Sequence, residues 1–249
     1  MKKAILPFLM STLISTTAFA ADAHKEHAHW GYDGASGPEH WSELDDSYGT
    51  CGSGRNQSPV DLNAMTEADL APVTFSYKAG GESVVNNGHT IQVNYTPGST
   101  ISIDGKTFEL KQFHFHSPSE NTIKGKSFPL EAHFVHADQD GNLAVVAVMF
   151  EEGKFNPELE KAWAAMPAKA GDSAQLKIPA DAALLMPAAK DYYRFNGSLT
   201  TPPCSEGVRW IVLKQYATAS KAQIEKFTHV LGHANNRPVQ PLNARPVLQ

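Results

Sequence analysis

Between residues 73 and 150, apolar and polar positions alternate with a period of two, in short runs divided by Gly, Asn, Asp and Pro. Successive side chains on an extended backbone point to opposite faces, so this period predicts strands over 73–77, 83–86, 90–95, 100–103, 108–116, 128–137 and 143–150, with another over 209–213. The run Leu143-Ala144-Val145-Val146-Ala147-Val148 is almost continuously apolar, which predicts a strand buried on both faces in the middle of a sheet. Two short helices are predicted. One covers 157–166 with Pro157 in its first turn; the other opens on Ser220 and Gln223 as a capping box and runs into Ile224, Phe227 and Leu231. The fold class is mainly β: a large, mostly antiparallel or mixed sheet with short peripheral helices.

One strand carries chemistry. In Gln112-Phe113-His114-Phe115-His116 the two phenylalanines share one face, while Gln112, His114 and His116 share the other. A His-x-His pair alone fits a surface strand. A third histidine changes the reading: in the 130–135 run Glu131, His133 and Val135 share a face, and two adjacent strands can present His114, His116 and His133 to one ion. Three imidazoles with a fourth position left for water is the ligand set of a catalytic zinc. Ligating histidines need an acceptor on their other ring nitrogen, and Gln112 and Glu131 are placed to provide it.

The first twenty residues stand apart from the fold. Lys2 and Lys3 precede an apolar run from Ala4 through Ile14 and the small-residue site Ala18-Phe19-Ala20, the layout of a secretory signal peptide. The run is too short to span a bilayer and no later one is longer, so no membrane anchor is expected. Losing Lys2 and Lys3 takes the formal charge from −5 to −7, which disfavours a nucleic-acid partner. About 229 residues then remain, enough for one core. Residues 21–29 are histidine-rich and read as a flexible, solvated tail. The two cysteines, Cys51 and Cys204, pair by default in an oxidising compartment, closing a loop of about 150 residues and adding on the order of 2 to 5 kcal/mol; two free thiols are the alternative. Ser58-Pro59 is a candidate cis bond.

Trp30-Gly31-Tyr32, Gly37-Pro38-Glu39-His40-Trp41, Gln57-Ser58-Pro59-Val60, Asn86-Asn87-Gly88-His89, the two histidine strands through His136, Ser198-Leu199-Thr200-Thr201-Pro202-Pro203 and Asn236-Arg237-Pro238-Val239-Gln240-Pro241-Leu242 occur in this order. With them the chain resembles an α-class carbonic anhydrase of the exported bacterial kind. The resemblance implies a domain over 30–249, built around a twisted sheet of about ten strands, with Zn2+ on His114, His116 and His133 in a conical cleft. It implies reversible hydration of CO2 to bicarbonate by zinc-hydroxide attack, with esterase action on the side. Family members are also the reference case for a zinc-bound water with a pKa near 7.

Roles follow residue by residue from the same resemblance. Thr200 orients the nucleophile and Glu120 takes the Thr200 proton, since a hydroxyl donates only once. Val135, Val145, Leu199, Thr201 and Trp210 form the CO2 pocket, and His89 is the proton shuttle, supported through water by Tyr32, Asn87 and Gln92. Cys51 and Cys204 match the disulfide of exported bacterial members, and Pro202-Pro203 is a second candidate cis bond. Ser117 and Asn121 stand where animal members carry tryptophan and histidine, and Gln92 where many carry asparagine. His136 is expected to be structural and His229 and His233 to lie at the surface. Sulfonamides and anions are the expected inhibitors, the protein a monomer or homodimer, its location periplasmic or secreted. A zinc hydrolase and a non-catalytic zinc-holding module are the other classes. Intact Thr200, Glu120 and His89 favour the enzyme over the module, and the absence of a peptide- or phosphate-binding motif disfavours the hydrolase.

Overall fold

The computed structural model describes residues 28–249; the predicted signal peptide and the histidine-rich stretch through residue 27 lie outside the described residues. Thirteen strands appear in chain order: β1 (Asp61–Leu62), β2 (Thr74–Ser76), β3 (Gly81–Asn86), β4 (Ile91–Tyr95), β5 (Thr100–Ile103), β6 (Lys106–His116), β7 (Thr122–Ile123), β8 (Leu130–Ala137), β9 (Leu143–Glu152), β10 (Ser173–Ala180), β11 (Tyr192–Ser198), β12 (Glu206–Leu213) and β13 (Ala217–Ala219). Eleven of them make one sheet whose main path is β10-β3-β4-β6-β8-β9-β12-β11; β1 and β7 pair separately. Most pairs are antiparallel, but β12 and β13 both run parallel to β9, so the sheet is mixed.

The period-two reading is met in the middle of this sheet. Along β9, Ala144, Val146, Val148 and Phe150 enter one core with Phe113, Phe115, Phe134 and Trp163, while Val145, Ala147 and Met149 enter a second core with Trp210, Val212 and Phe195. Both faces of β9 are therefore buried, as its apolar run predicts. Each large side chain so buried contributes about 1.5 to 3 kcal/mol. Past the short α1 (Trp41–Leu44) and α2 (Thr50–Ser53), the first core is closed by α3 (Pro157–Trp163), the short α4 (Ala182–Leu185) and α5 (Lys221–Leu231). The Ser220–Gln223 capping box is present. Asn156 caps α3 with Pro157 next to it, and the helix stops at Trp163, three residues short of the prediction.

Three features depart from expectation. β10 lies at one edge of the sheet with a register shift between Gln175 and Ala180, so no clean alternation marks it. At the other edge, β11 contains Asn196-Gly197, a pair that reads as a turn in sequence. Cis bonds occur at Ser58-Pro59 and Pro202-Pro203, as anticipated, and at Ser117-Pro118. The Cys51–Cys204 disulfide is formed and sits with Trp41 and Tyr48 in a third apolar cluster, against which Trp30 and Tyr32 pack.

Candidate metal centre

β6 and β8 pair antiparallel with His114 directly opposite His133 and His116 opposite Glu131. Phe113, Phe115 and Phe134 fill the first core, so the period of the strands turns the three imidazoles to the opposite face. One nitrogen from each of His114, His116 and His133 lies within 4.8 Å of the others, and this is the one such cluster among the described residues.

Hydrogen bonds decide which nitrogens are free. His114 Nδ1 is 2.8 Å from Gln112 Oε1, His116 Nδ1 is 2.7 Å from the Asn235 carbonyl, and His133 Nε2 is 2.9 Å from Glu131 Oε1. Each acceptor fixes an N–H at that position, leaving the lone pairs of His114 Nε2, His116 Nε2 and His133 Nδ1 for a metal. Burial lowers the pKa of all three rings, so they are held in the neutral form that ligates. His116 Nε2 is buried without any hydrogen-bond partner, which an ion at this point would supply. The donor set, its protonation and this orphaned nitrogen fit zinc.

Glu131 does more than accept from His133. Its Oε2 takes the backbone N–H groups of Glu120 at 2.7 Å and Asn121 at 2.9 Å, and its Oε1 also takes the Asn121 side-chain amide at 2.8 Å. Burial raises its pKa, while the Asn121 donors oppose the rise. Asn121, at the position where animal members carry histidine, thereby braces the carboxylate. Glu120 is 1 % exposed; its Oε1 accepts from the Arg237 backbone N–H at 2.9 Å, and its Oε2 is 3.5 Å from His116 Nε2. Burial pushes the Glu120 pKa well up, Glu131 adds to that, and the Arg237 N–H and the Thr200 hydroxyl oppose it. The Thr200 hydroxyl acts on this carboxyl without closing a well-formed hydrogen bond, since Oε2 has no partner.

Beside the histidines is a cavity of about 140 Å3 lined by Trp30, Tyr32, Asn87, His89, Thr90, Gln92, Gln112, His114, His116 and Thr201. It brings His89, Tyr32, Asn87, Gln92 and Thr201 together with two of the candidate ligands. His89 stacks on Trp30, ring centroids 3.7 Å apart, and its pKa is lowered to about 4 by burial first and then by His29 and His233. Val135 is paired with Val145, and Val145 with Trp210; Leu199 packs on the same second core. Trp210 is 1 % exposed and meets the His133 ring in an edge-to-face arrangement, ring centroids 4.9 Å apart. A larger open groove of about 710 Å3, lined by Lys106, Glu109, Lys111 and Asp138 among others, holds no candidate ligand and is not the chemical site.

Sequence reasoning missed Asn235 and Arg237. Asn235 is fully buried and supplies the acceptor for His116. Arg237 is 2 % exposed and donates to Gln57 Oε1, the Ser58 carbonyl and the Cys51 carbonyl. The Asn-Asn-Arg-Pro stretch carries the signal, but polar residues in a loop give no hint of burial. His233, expected at the surface, is half-buried against Tyr32.

A mainly β fold in which two buried imidazoles and one half-buried imidazole converge beside a small cavity could hold a single metal ion. The comparisons give the family. The model for eukaryotic-type carbonic anhydrases matches residues 36–249. A carbonic anhydrase of Neisseria gonorrhoeae is 51 % identical over 246 residues, spanning 98 % of this chain and 97 % of that protein. One from Pectobacterium carotovorum is 48 % identical over 240 residues, spanning 96 % and 98 %. The α-carbonic anhydrase of Thermovibrio ammonificans, solved with the inhibitor sulfanilamide, superposes with a TM-score of 0.88 at 54 % identity, covering 89 % of this chain and 99 % of that one. The chain belongs to the α-class carbonic anhydrase family and is an enzyme of that family.

Proposed function

We propose that this protein is a zinc enzyme that interconverts CO2 and water with bicarbonate and a proton, using His114, His116 and His133 as ligands. One observation carries the proposal: three neutral, converging imidazoles, each with its second nitrogen already committed, keep their remaining lone pairs free, and two of them line a cavity that reaches His89. When bound, zinc supplies the Lewis acidity that ionises a water near pH 7, a value for which carbonic anhydrases are themselves the reference case.

The remaining work belongs to the chain. Glu120 accepts the hydrogen bond of the Thr200 hydroxyl, so the Thr200 oxygen meets the attacking oxygen as an acceptor and turns that oxygen's lone pair toward carbon. Val135, Val145 and Leu199, backed by Trp210, offer CO2 an apolar resting place with few groups to bond. The proton released by hydration leaves through the cavity, by way of waters near Tyr32, Asn87, Gln92 and Thr201, to His89 and then to solvent. Small activated esters are side substrates. Sulfonamide anions bind at the metal, a reading supported by the sulfanilamide complex of the Thermovibrio ammonificans relative. Residues 1–20 direct export and are removed, and residues 30–249 act in the periplasm or outside the cell. No helix among the described residues is long and apolar enough to cross a membrane.

The test is stopped-flow CO2 hydration before and after zinc removal, with His133→Ala as control. Fast hydration that disappears with zinc and with His133 is expected. One equivalent of zinc bound without hydration would overturn the enzymatic reading in favour of a zinc-holding module.

A further inference from the structure

The turn that carries His89 is held from two sides. Its N–H groups are met by its own asparagines: Asn86 Oδ1 accepts from Gly88 N at 3.0 Å, and Asn87 Oδ1 from His89 N at 2.9 Å and Thr90 N at 2.8 Å. Its carbonyls face the segment that follows α5. Gly232 caps that helix with φ 81°, a conformation glycine adopts without strain, and redirects the chain toward the cleft. His233 Nε2 then lies 3.2 Å from the Gly88 carbonyl, and Asn235 Nδ2 donates to the His89 carbonyl at 3.0 Å.

The same Asn235 reaches the candidate ligands. Its carbonyl accepts from His116 Nδ1 at 2.7 Å, its Oδ1 accepts from Ser117 N at 2.8 Å, and its Nδ2 also donates to the Phe115 carbonyl at 2.8 Å. It is fully buried, so each of these bonds would be costly to leave unmade. His233 in turn stacks on Tyr32, ring centroids 5.8 Å apart, and the Tyr32 ring lies 6.4 Å from that of His89.

We propose that His233 and Asn235 are positioning residues forming a strut that fixes the His89 turn relative to His116, and so sets the span a proton crosses between the metal centre and the shuttle. This rests on the reading of His89 as the shuttle. Neither residue touches the reacting atoms. A relay through a few waters depends steeply on the distance between its ends, and a displacement of about 1 Å is enough to slow a reaction by up to about 10²-fold. His233 is the cleaner probe, because it contacts the turn and not the ligands.

The experiment uses the zinc-loaded protein and three readings: turnover in weak buffer with and without added imidazole as a diffusible proton acceptor, zinc release to a chelator, and the His89 ring signals in 1H–15N spectra. His233→Leu is expected to lower turnover in weak buffer by roughly three- to tenfold. Imidazole should restore it, kcat/KM and zinc release should stay at wild-type values, and the His89 signals should broaden or shift. His233→Gln, which keeps an amide donor, should recover most of the loss. Asn235→Ser keeps the backbone carbonyl that serves His116 but gives up the side-chain bonds to Ser117 and Phe115, so it should lose turnover in weak buffer and also release zinc faster. His89→Ala is the control. Normal turnover and normal His89 signals in both strut variants, with a slow His89→Ala, would overturn the strut and leave the shuttle standing. A His89→Ala enzyme as fast as wild type would overturn both. A loss in His233→Leu that imidazole does not restore, shared by kcat/KM, would mark ordinary structural damage and also overturn the strut.

Discussion

Glu131 and His133, two residues apart on β8 and on the same face, are joined by a 2.9 Å contact from Oε1 to His133 Nε2, and this contact decides which nitrogen His133 offers. The carboxylate can do so because its other oxygen is anchored by the Glu120 and Asn121 N–H groups.

Glu131→Gln should therefore weaken metal binding. An amide can turn only one oxygen outward: facing His133 with it sets the NH2 against two backbone donors, and the reverse sets the NH2 against the imidazole N–H. An affinity loss of about 10- to 100-fold is expected. Competition with a chelator measures it; unaltered affinity would show that Glu131 does not fix the ring.

Stability should fall in acid because of His136. This ring is fully buried, with Nε2 2.7 Å from the Tyr77 hydroxyl and Nδ1 3.2 Å from the Ala144 carbonyl, and burial lowers its pKa to about 4. The unfolded chain takes up the proton near the ordinary histidine value of about 6.5. Between these two values the unfolded state binds more protons, so stability is full above the upper one and declines as pH falls toward the lower. The total is on the order of 3 kcal/mol. His136→Asn should flatten the denaturant-measured stability profile between pH 6.5 and 4 relative to wild type, even with a lower midpoint at neutral pH. A parallel decline in both would assign the acid loss to other groups.

The strand pattern made β6, β8 and β9 legible, and with them the three histidines, because one register turns Phe113, Phe115 and Phe134 inward and His114, His116 and His133 outward. Gln112 and Glu131 were legible for the same reason. Thr200, Glu120 and His89 carry no such periodicity; they sit in loops and at turns, and only motif resemblance marks them. Arg237 lies in a motif that carries the resemblance but received no role from it, and Asn235 escaped both routes. Their partners, His116, Cys51 and Gln57, are between 119 and 186 positions away, and nothing local in a chain encodes a hydrogen bond across that distance.

Removing the disulfide should cost stability and activity together. Cys51 and Cys204 are 153 residues apart, so in the chain-entropy view the bridge contributes about 4 to 5 kcal/mol. It also borders the site: Cys204 N donates to the Thr201 carbonyl, and Arg237, whose backbone N–H serves Glu120, donates to the Cys51 carbonyl. The Cys51→Ser, Cys204→Ser variant should show a lower melting temperature and a lower kcat below that melting point. Unchanged melting and turnover would remove the link.

On the proposed mechanism, Glu120→Gln should separate orientation of the nucleophile from binding of the metal. The Arg237 N–H holds one oxygen of Glu120, so a glutamine that keeps this bond points its NH2 at Thr200 and at the ligating face of His116. Thr200 must then accept from that amide and spend its own proton on the attacking oxygen, the reverse of the arrangement that aims a lone pair at CO2. A fall in kcat of about 10²- to 10³-fold is expected, the scale on which a preorganised hydrogen bond to a transition state acts. Zinc content should stay near one equivalent, since the bonds from Gln112, Asn235 and Glu131 to the three rings are untouched. Stopped-flow hydration with parallel metal analysis decides it. A variant within about threefold of wild type would mean that Thr200 is oriented without Glu120, and a variant that loses zinc would place Glu120 in the metal site itself.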